Sequence, residues 1–273
     1  MTEPTPLPSD PSSMVLPPAM LQRARDFSGP PAPARPAATV VLLRPHGDAF
    51  QVYVLRRATT MVFGGVYAFP GGVVDPSDRP ETIRTDWAER LGLPDEQARA
   101  VVGAAARELF EEAGVVLAGP IAEPDRTVAD AGTADWEADR AAVLRRELTM
   151  TELLNRRGLR LRDDLLLPWA RWVTPEFEPK RYDTWFFAAL MPEGQDARDV
   201  SGEADRTAWI SPSEAGELPM LPPTQHTLRQ LAACATIPEV VAAAAHRDAA
   251  TPLNPRIEIT ADGRVLLHVP NRP

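Results

Sequence analysis

The residues best suited to chemistry lie in one stretch, Ala104-Ala105-Ala106-Arg107-Glu108-Leu109-Phe110-Glu111-Glu112-Ala113-Gly114-Val115. Glu108, Glu111 and Glu112 stand at i, i+3 and i+4, so a helix would carry their carboxylates on adjoining positions of one face. Like charges at that spacing cost an isolated helix roughly 0.2–0.5 kcal/mol per pair. They also sit near the helix C-terminus, where the macrodipole disfavours anions. Three carboxylates placed against both trends call for a compensating cation. Hard divalent ions, Mg²⁺ or Mn²⁺, take such oxygen ligands and usually retain waters. The plainer alternative is a solvated acidic face with Arg107 as its partner.

Several elements must position that face. Residues 95–113 read as a helix: Pro94 or Asp95 starts it, alanines and long straight side chains fill it, and Gly114 caps its end. Upstream, Thr39-Val40-Val41-Leu42-Leu43 and Gln51-Val52-Tyr53-Val54-Leu55 flank turn residues Pro45-His46-Gly47-Asp48 and predict a hairpin. The glycine-rich run Phe63-Gly64-Gly65-Val66-Tyr67-Ala68-Phe69-Pro70-Gly71-Gly72 follows. Downstream, Val115-Val116-Leu117 resumes strand character, and Asp135 to about Gly158 reads as helical. Strands are expected at Trp169–Val173, Thr184–Leu190 and about Ala208–Ile210, with Lys180 and Arg181 in the loop between the first two. Helices are expected at Thr224–Ala235, with Cys234 inside it, and at Pro238–His246. Residues 256–267 read as a hairpin turning at Asp262-Gly263, able to complete the sheet or form a dimer contact. The mixture is α/β, with helices covering both faces of a mixed sheet.

Composition narrows the function classes. The 273 residues carry 29 basic and 38 acidic side chains, a formal net charge of -9, which disfavours coating of duplex nucleic acid. The single cysteine, Cys234, allows no intrachain disulfide and fits a cytoplasmic protein. No apolar run reaches the roughly 20 residues that span a bilayer. Ten of the 30 prolines lie between Pro4 and Pro36. Residues 1–37 therefore read as a Pro-rich flexible arm, with a short helix possible around Ala19 to Phe27.

Two halves of a longer pattern stand in order here. Phe69-Pro70-Gly71-Gly72 precedes the helix, and Arg107-Glu108-Leu109-x-Glu111-Glu112-x-Gly114-Val115 ends it. Together they resemble the signature of the Nudix hydrolases, which cleave nucleoside diphosphates linked to another moiety. The resemblance implies a Nudix-type α/β/α sandwich over 38–220, with insertions near 75–95 and 125–165, and residues 221–273 packed on that domain. It also implies metal binding by Gly72, Glu108, Glu111, Glu112 and a distant loop glutamate. Glu203 is the choice for that last ligand, with Asp205, Glu176 and Glu178 as rivals. Catalysis would fall to Glu108, Arg107 and Glu112. The family places its first acidic residue eight positions before the arginine, whereas Asp78 lies 29 before Arg107, so about 21 residues interrupt the pattern. Asp78 is the better candidate for that position and Glu96 the second.

The interrupted pattern, the run at 69–75, and Trp172-Val173-Thr174-Pro175 with Arg181-Tyr182-Asp183-Thr184-Trp185-Phe186-Phe187 resemble the coenzyme A diphosphatase branch. Coenzyme A diphosphatases of the related shorter type carry an arginine-containing motif before the glycines. Arg56 and Arg57 fit it, but no arginine lies between Ala58 and Ala68. Arg56, Arg57, Lys180 and Arg181 are the expected substrate-binding residues. The expected partner is a small nucleotide, with no duplex nucleic acid, no membrane and a possible homodimer. ADP-ribose or NADH is the alternative substrate, and a catalytically silent Nudix-fold binding module the alternative of another class.

Overall fold

In the computed structural model the described residues are 13–15, 18–58, 64–200, 202, 204–259 and 265–269. Elements run in the order β1 (Ser13–Val15), α1 (Pro18–Asp26), β2 (Ala34–His46), β3 (Ala49–Arg57), β4 (Tyr67–Ala68), β5 (Gly71–Val73), α2 (Trp87–Leu91) and α3 (Asp95–Ala113). They continue with β6 (Ala118–Pro120), α4 (Ala134–Leu144), α5 (Met150–Arg156), β7 (Leu159–Leu161), β8 (Leu166–Val173), β9 (Arg181–Leu190) and β10 (Ala204–Ile210). The chain ends with α6 (Pro222–Leu231), α7 (Ile237–Ala244), β11 (Arg256–Ile259) and β12 (Val265–His268).

Seven strands form one mixed sheet in the order β10-β3-β2-β9-β8, with β4 beside β3 and β5 beside β2. Only β2 and β9 pair in parallel within it. One face packs on α3 through Val40, Leu42, Trp185, Phe187, Leu109 and Phe110. The opposite face packs on α6 and α7 through Val41, Leu43, Trp169, Leu228 and Val240. Alternate residues of β2 thus serve opposite cores, as a strand buried on both faces requires. This is the α/β/α sandwich anticipated from the sequence.

Strand β2 shares one edge between two partners: β5 along Ala37–Thr39 and β3 along Leu43–His46. The chain can therefore loop away at the end of β3 and return as the glycine pair against the start of β2. Val40 N donates to Pro70 O at 2.8 Å, which holds that return.

Several boundaries differ from expectation for identifiable reasons. β2 begins at Ala34, inside the span read as a flexible arm, because Ala34, Arg35 and Pro36 extend the parallel ladder to β9. Helix α1 forms around the short helix expected at Ala19 to Phe27, and it packs Met20 and Ala24 on Phe177 and Leu267. Val115-Val116-Leu117 is buried but not a strand; pairing starts at Ala118, with β7. The helical region from Asp135 splits in two at Arg145. Cys234 lies in the turn after α6 rather than within it. Strands β11 and β12 do pair, but with β1 in a separate three-stranded sheet, so they do not complete the main one. The Asp262-Gly263 turn lies outside the described residues.

Candidate metal and phosphate site

Helix α3 sets the geometry. Asp95 and Glu96 occupy its first turn, where the dipole favours anions. Gly114 closes it at φ 68°, donating its N–H to Phe110 O at 3.0 Å. The sheet covers one side of α3, and the segment 78–80 covers another: a β-carbon at Gly103 would meet Pro80 Cδ at 2.8 Å. Arg107, Glu108 and Glu111 are consequently buried with their charges.

Arg107 organises the group. Its Nε donates to Asp78 Oδ1 at 2.7 Å and its Nη2 to Asp78 Oδ2 at 2.9 Å, a two-pronged bond. Nη2 also reaches Val73 O at 3.0 Å, and Nη1 reaches Glu108 Oε1 at 2.6 Å and Glu111 Oε2 at 3.3 Å. Burial disfavours the Arg107 charge, yet the bond to Asp78 and the charges of Glu108, Asp78 and Glu111 raise its pKa on balance. Asp78, the better candidate for the first acidic position, is thus paired with Arg107 from 29 residues away. The rival Glu96 is exposed and pairs with Arg79 at 3.2 Å.

The glycine pair faces the carboxylates at close range. Gly71 N donates to Glu112 Oε2 at 3.0 Å. A β-carbon at Gly72 would stand 2.4 Å from Glu108 Oε1, so a side chain there would push that carboxylate away from the loop. Burial pushes the Glu108 carboxyl up to about 7 and raises that of Glu111, with Arg107 opposing both.

Two arginines absent from the sequence reading come from α4 and the turn after it. Arg140 of α4 donates to Glu111 O at 3.1 Å. Arg146, just beyond α4, pairs with Glu111 through Nη1 and lies 3.5 Å from Asp75 through Nε. Asp75 is held low by hydrogen bonds from Ser77. No spacing rule points to Arg146, because it reaches the site only through the fold of the α4–α5 turn.

Other expected residues distribute differently. Glu203 lies outside the described residues. Its rival Asp205 pairs with Arg56 at 2.6 Å, and Glu178 is buried against Arg23 of α1 at 3.0 Å. Glu176 is exposed. Arg57 ends β3 with its Nε buried and, among the described residues, without a hydrogen-bond partner. Lys180 is exposed, and Arg181 is committed to Thr174 O at 3.0 Å and Ala32 O at 2.8 Å. The structure therefore gathers Gly72, Asp78, Arg107, Glu108, Glu111 and Glu112, and leaves Lys180 and Arg181 elsewhere.

The donor set fits a hard divalent cation in kind: carboxylate oxygens in a cradle that a side chain at Gly72 would fill. Among the described residues no three acidic, histidine or cysteine side chains converge on a single point. Glu108 and Glu111 are turned onto guanidinium groups instead. No helix among the described residues is long and apolar enough to cross a membrane.

Known proteins share this architecture. The sequence profile of the NUDT19 Nudix domain family matches residues 82–223, just over half of the chain. Human acyl-coenzyme A diphosphatase NUDT19 is 28% identical over 245 residues, covering 72% of this chain and 64% of that protein. A Caenorhabditis elegans relative is 28% identical over 188 residues, covering 66% of this chain and 55% of its own. The chain thus spans less than two thirds of either. A crystal structure of a NUDIX hydrolase from Alicyclobacillus acidocaldarius superposes with a TM-score of 0.63 at 30% identity, over 77% of this chain and 96% of that one.

Proposed function

Since the chain belongs to the NUDT19 Nudix domain family of the Nudix hydrolases, we propose that it hydrolyses the diphosphate bond of a nucleoside diphosphate linked to another moiety, with coenzyme A or an acyl-coenzyme A as substrate. The observation that carries this reading is the meeting of the glycine pair with the α3 carboxylates, Gly71 on Glu112 and Gly72 against Glu108. The named activity of the human relative supports the substrate class.

Glu108, Glu111 and Glu112, with the Gly72 carbonyl, would hold Mg²⁺ or Mn²⁺. Such an ion, when bound, offsets phosphate charge and makes a bound water more acidic. Arg107 keeps Glu108 and Glu111 in place, itself fixed by Asp78. Glu108 would hold the cation or accept a proton from the attacking water. The water oxygen forms a bond to phosphorus, the bridging P–O bond breaks, and two phosphomonoesters leave. Arg57, whose backbone pairs with Gly65 and Val66 of the glycine-rich run, is the better-placed of the expected phosphate contacts.

The test is a substrate panel of coenzyme A, an acyl-coenzyme A, NADH and ADP-ribose, followed by phosphorus NMR with Mg²⁺ or Mn²⁺. Turnover of the coenzyme A compounds, lost by roughly a hundredfold or more in Glu112→Gln, is expected. Preference for NADH or ADP-ribose would move the substrate class. Full turnover in Glu112→Gln would remove the assigned site, and binding without any hydrolysis would make the chain a silent module.

A further inference from the structure

Two guanidinium groups pair with the Glu111 carboxylate, Arg107 at Oε2 and Arg146 at Oε1. Arg107 lies beneath it, buried. Arg146 comes from the turn after α4 and leaves its side chain 45% exposed, while that of Glu111 is 4% exposed. Arg146 is also the one non-glycine residue with positive φ among the described residues, at 60°. A helix end of this shape suits glycine, which reaches the left-handed region without steric cost. An arginine there directs attention to its side chain. That side chain closes on Glu111 from the solvent side, donates to Val143 O at 3.1 Å, and reaches Asp75 at 3.5 Å.

Arg146 occupies Glu111 Oε1, an oxygen that a cation held by Glu111 would use. Arg107 cannot give way, since it is enclosed and bonded to Asp78, Val73, Glu108 and Glu111. Arg146 can, because its half-exposed guanidinium has water to move into. We propose that Arg146 is a positioning residue that serves as the resident counter-cation of Glu111 and Asp75, and that a divalent cation entering the carboxylate face displaces it. The inference rests on the reading of that face as a cation site. It assigns the turn after α4 a role at the site, the delivery of a removable positive charge.

The test measures Mn²⁺ binding by calorimetry in the wild-type chain, Arg146→Gln and Arg145→Gln. Arg145 shares the turn and pairs on the surface with Glu147 at 2.8 Å, so its variant reproduces the charge change without the contact. Arg146→Gln is expected to bind Mn²⁺ about tenfold more tightly than wild type, with Arg145→Gln close to wild type. Without Mn²⁺, Arg146→Gln is expected to melt below wild type, and the gap to narrow at saturating Mn²⁺. A purely structural arginine would leave that gap unchanged. If the wild type binds Mn²⁺ and Arg146→Gln binds no more tightly, or if Arg145→Gln gains as much, the displacement is overturned while the cation site stands. If neither wild type nor Arg146→Gln binds, the cation site and the inference fall together.

Discussion

Arg107 and Arg146 meet the same acidic helix face with the same group, and their surroundings give them opposite characters. Arg107 is 2% exposed at its side chain and bonds both oxygens of Asp78, itself 1% exposed. Arg146 is 45% exposed and has one close carboxylate partner, Glu111. In a closed interior, removing one member of a pair strands the other charge without water. At a half-exposed position solvent compensates, so the contact is modest in energy and open to exchange. Burial, more than the identity of the pair, separates a fixed bracket from a removable counter-ion.

The largest expected effect breaks the bracket. Asp78→Asn leaves the Arg107 guanidinium without its two-pronged acceptor, and urea unfolding is expected to report a loss of about 3–5 kcal/mol. Arg146→Gln should lose clearly less in the same measurement. Equal losses would remove the distinction between the two arginines.

A second expectation concerns Glu108, whose charge Arg107 offsets. Burial raises the Glu108 carboxyl from 4.5 to about 7. Between those values the folded chain holds a proton that the unfolded chain releases, so this group's stabilising contribution is full below about 4.5 and declines as pH rises through about 7. In cation-free protein the stability of wild type relative to Glu108→Gln should therefore fall by about 1–3 kcal/mol between pH 5 and pH 8. A difference that is flat or rises with pH contradicts this environment for Glu108.

Smaller still is the expected effect of Gly72→Ala on folding. The added methyl meets the end of the Glu108 side chain rather than backbone, so the fold should lose only about 1 kcal/mol. The displaced carboxylate should nevertheless lower turnover and Mn²⁺ affinity together. Loss of stability alone, with both retained, would mean that the close approach has no role at the site.

What could be read from sequence follows the range of the interactions. The α3 face was legible because i, i+3 and i+4 spacing is a local property, and so was its end at Gly114. Asp78 was reachable as the better of two acids, although the 29-residue gap gave no reason in energy for preferring it over Glu96. The reason appears only when the chain folds back: Asp78 is buried beside Arg107, and Glu96 points to solvent. Arg146 was not legible at all, since nothing local links an arginine after α4 to a glutamate of α3. The Ala34–Pro36 segment was misread because proline-rich composition suggests an arm, while the partner that orders it, β9, lies far along the chain.

The smallest expected effect on activity belongs to Arg181, which sequence placed among the substrate contacts. Its strand register argues otherwise. Arg181 pairs with Ala34 on β2, and Trp185 with Ala38, the residue that pairs with Gly72 on the other edge. Four residues of strand therefore separate Arg181 from the level of the glycine pair, roughly 13 Å at about 3.3 Å per residue. Its guanidinium is occupied by Thr174 O and Ala32 O, joining the β8–β9 connection to the segment that leads into β2. Arg181→Met should cost about 1–2 kcal/mol of stability through those two bonds, with KM for the coenzyme A compounds unchanged. Arg57→Met should show the reverse, a higher KM with little loss of stability, because no hydrogen bond among the described residues satisfies its Nε. A raised KM in Arg181→Met at wild-type stability would instead draw the substrate across the sheet toward the start of β9, away from the face that Arg107 and Arg146 share.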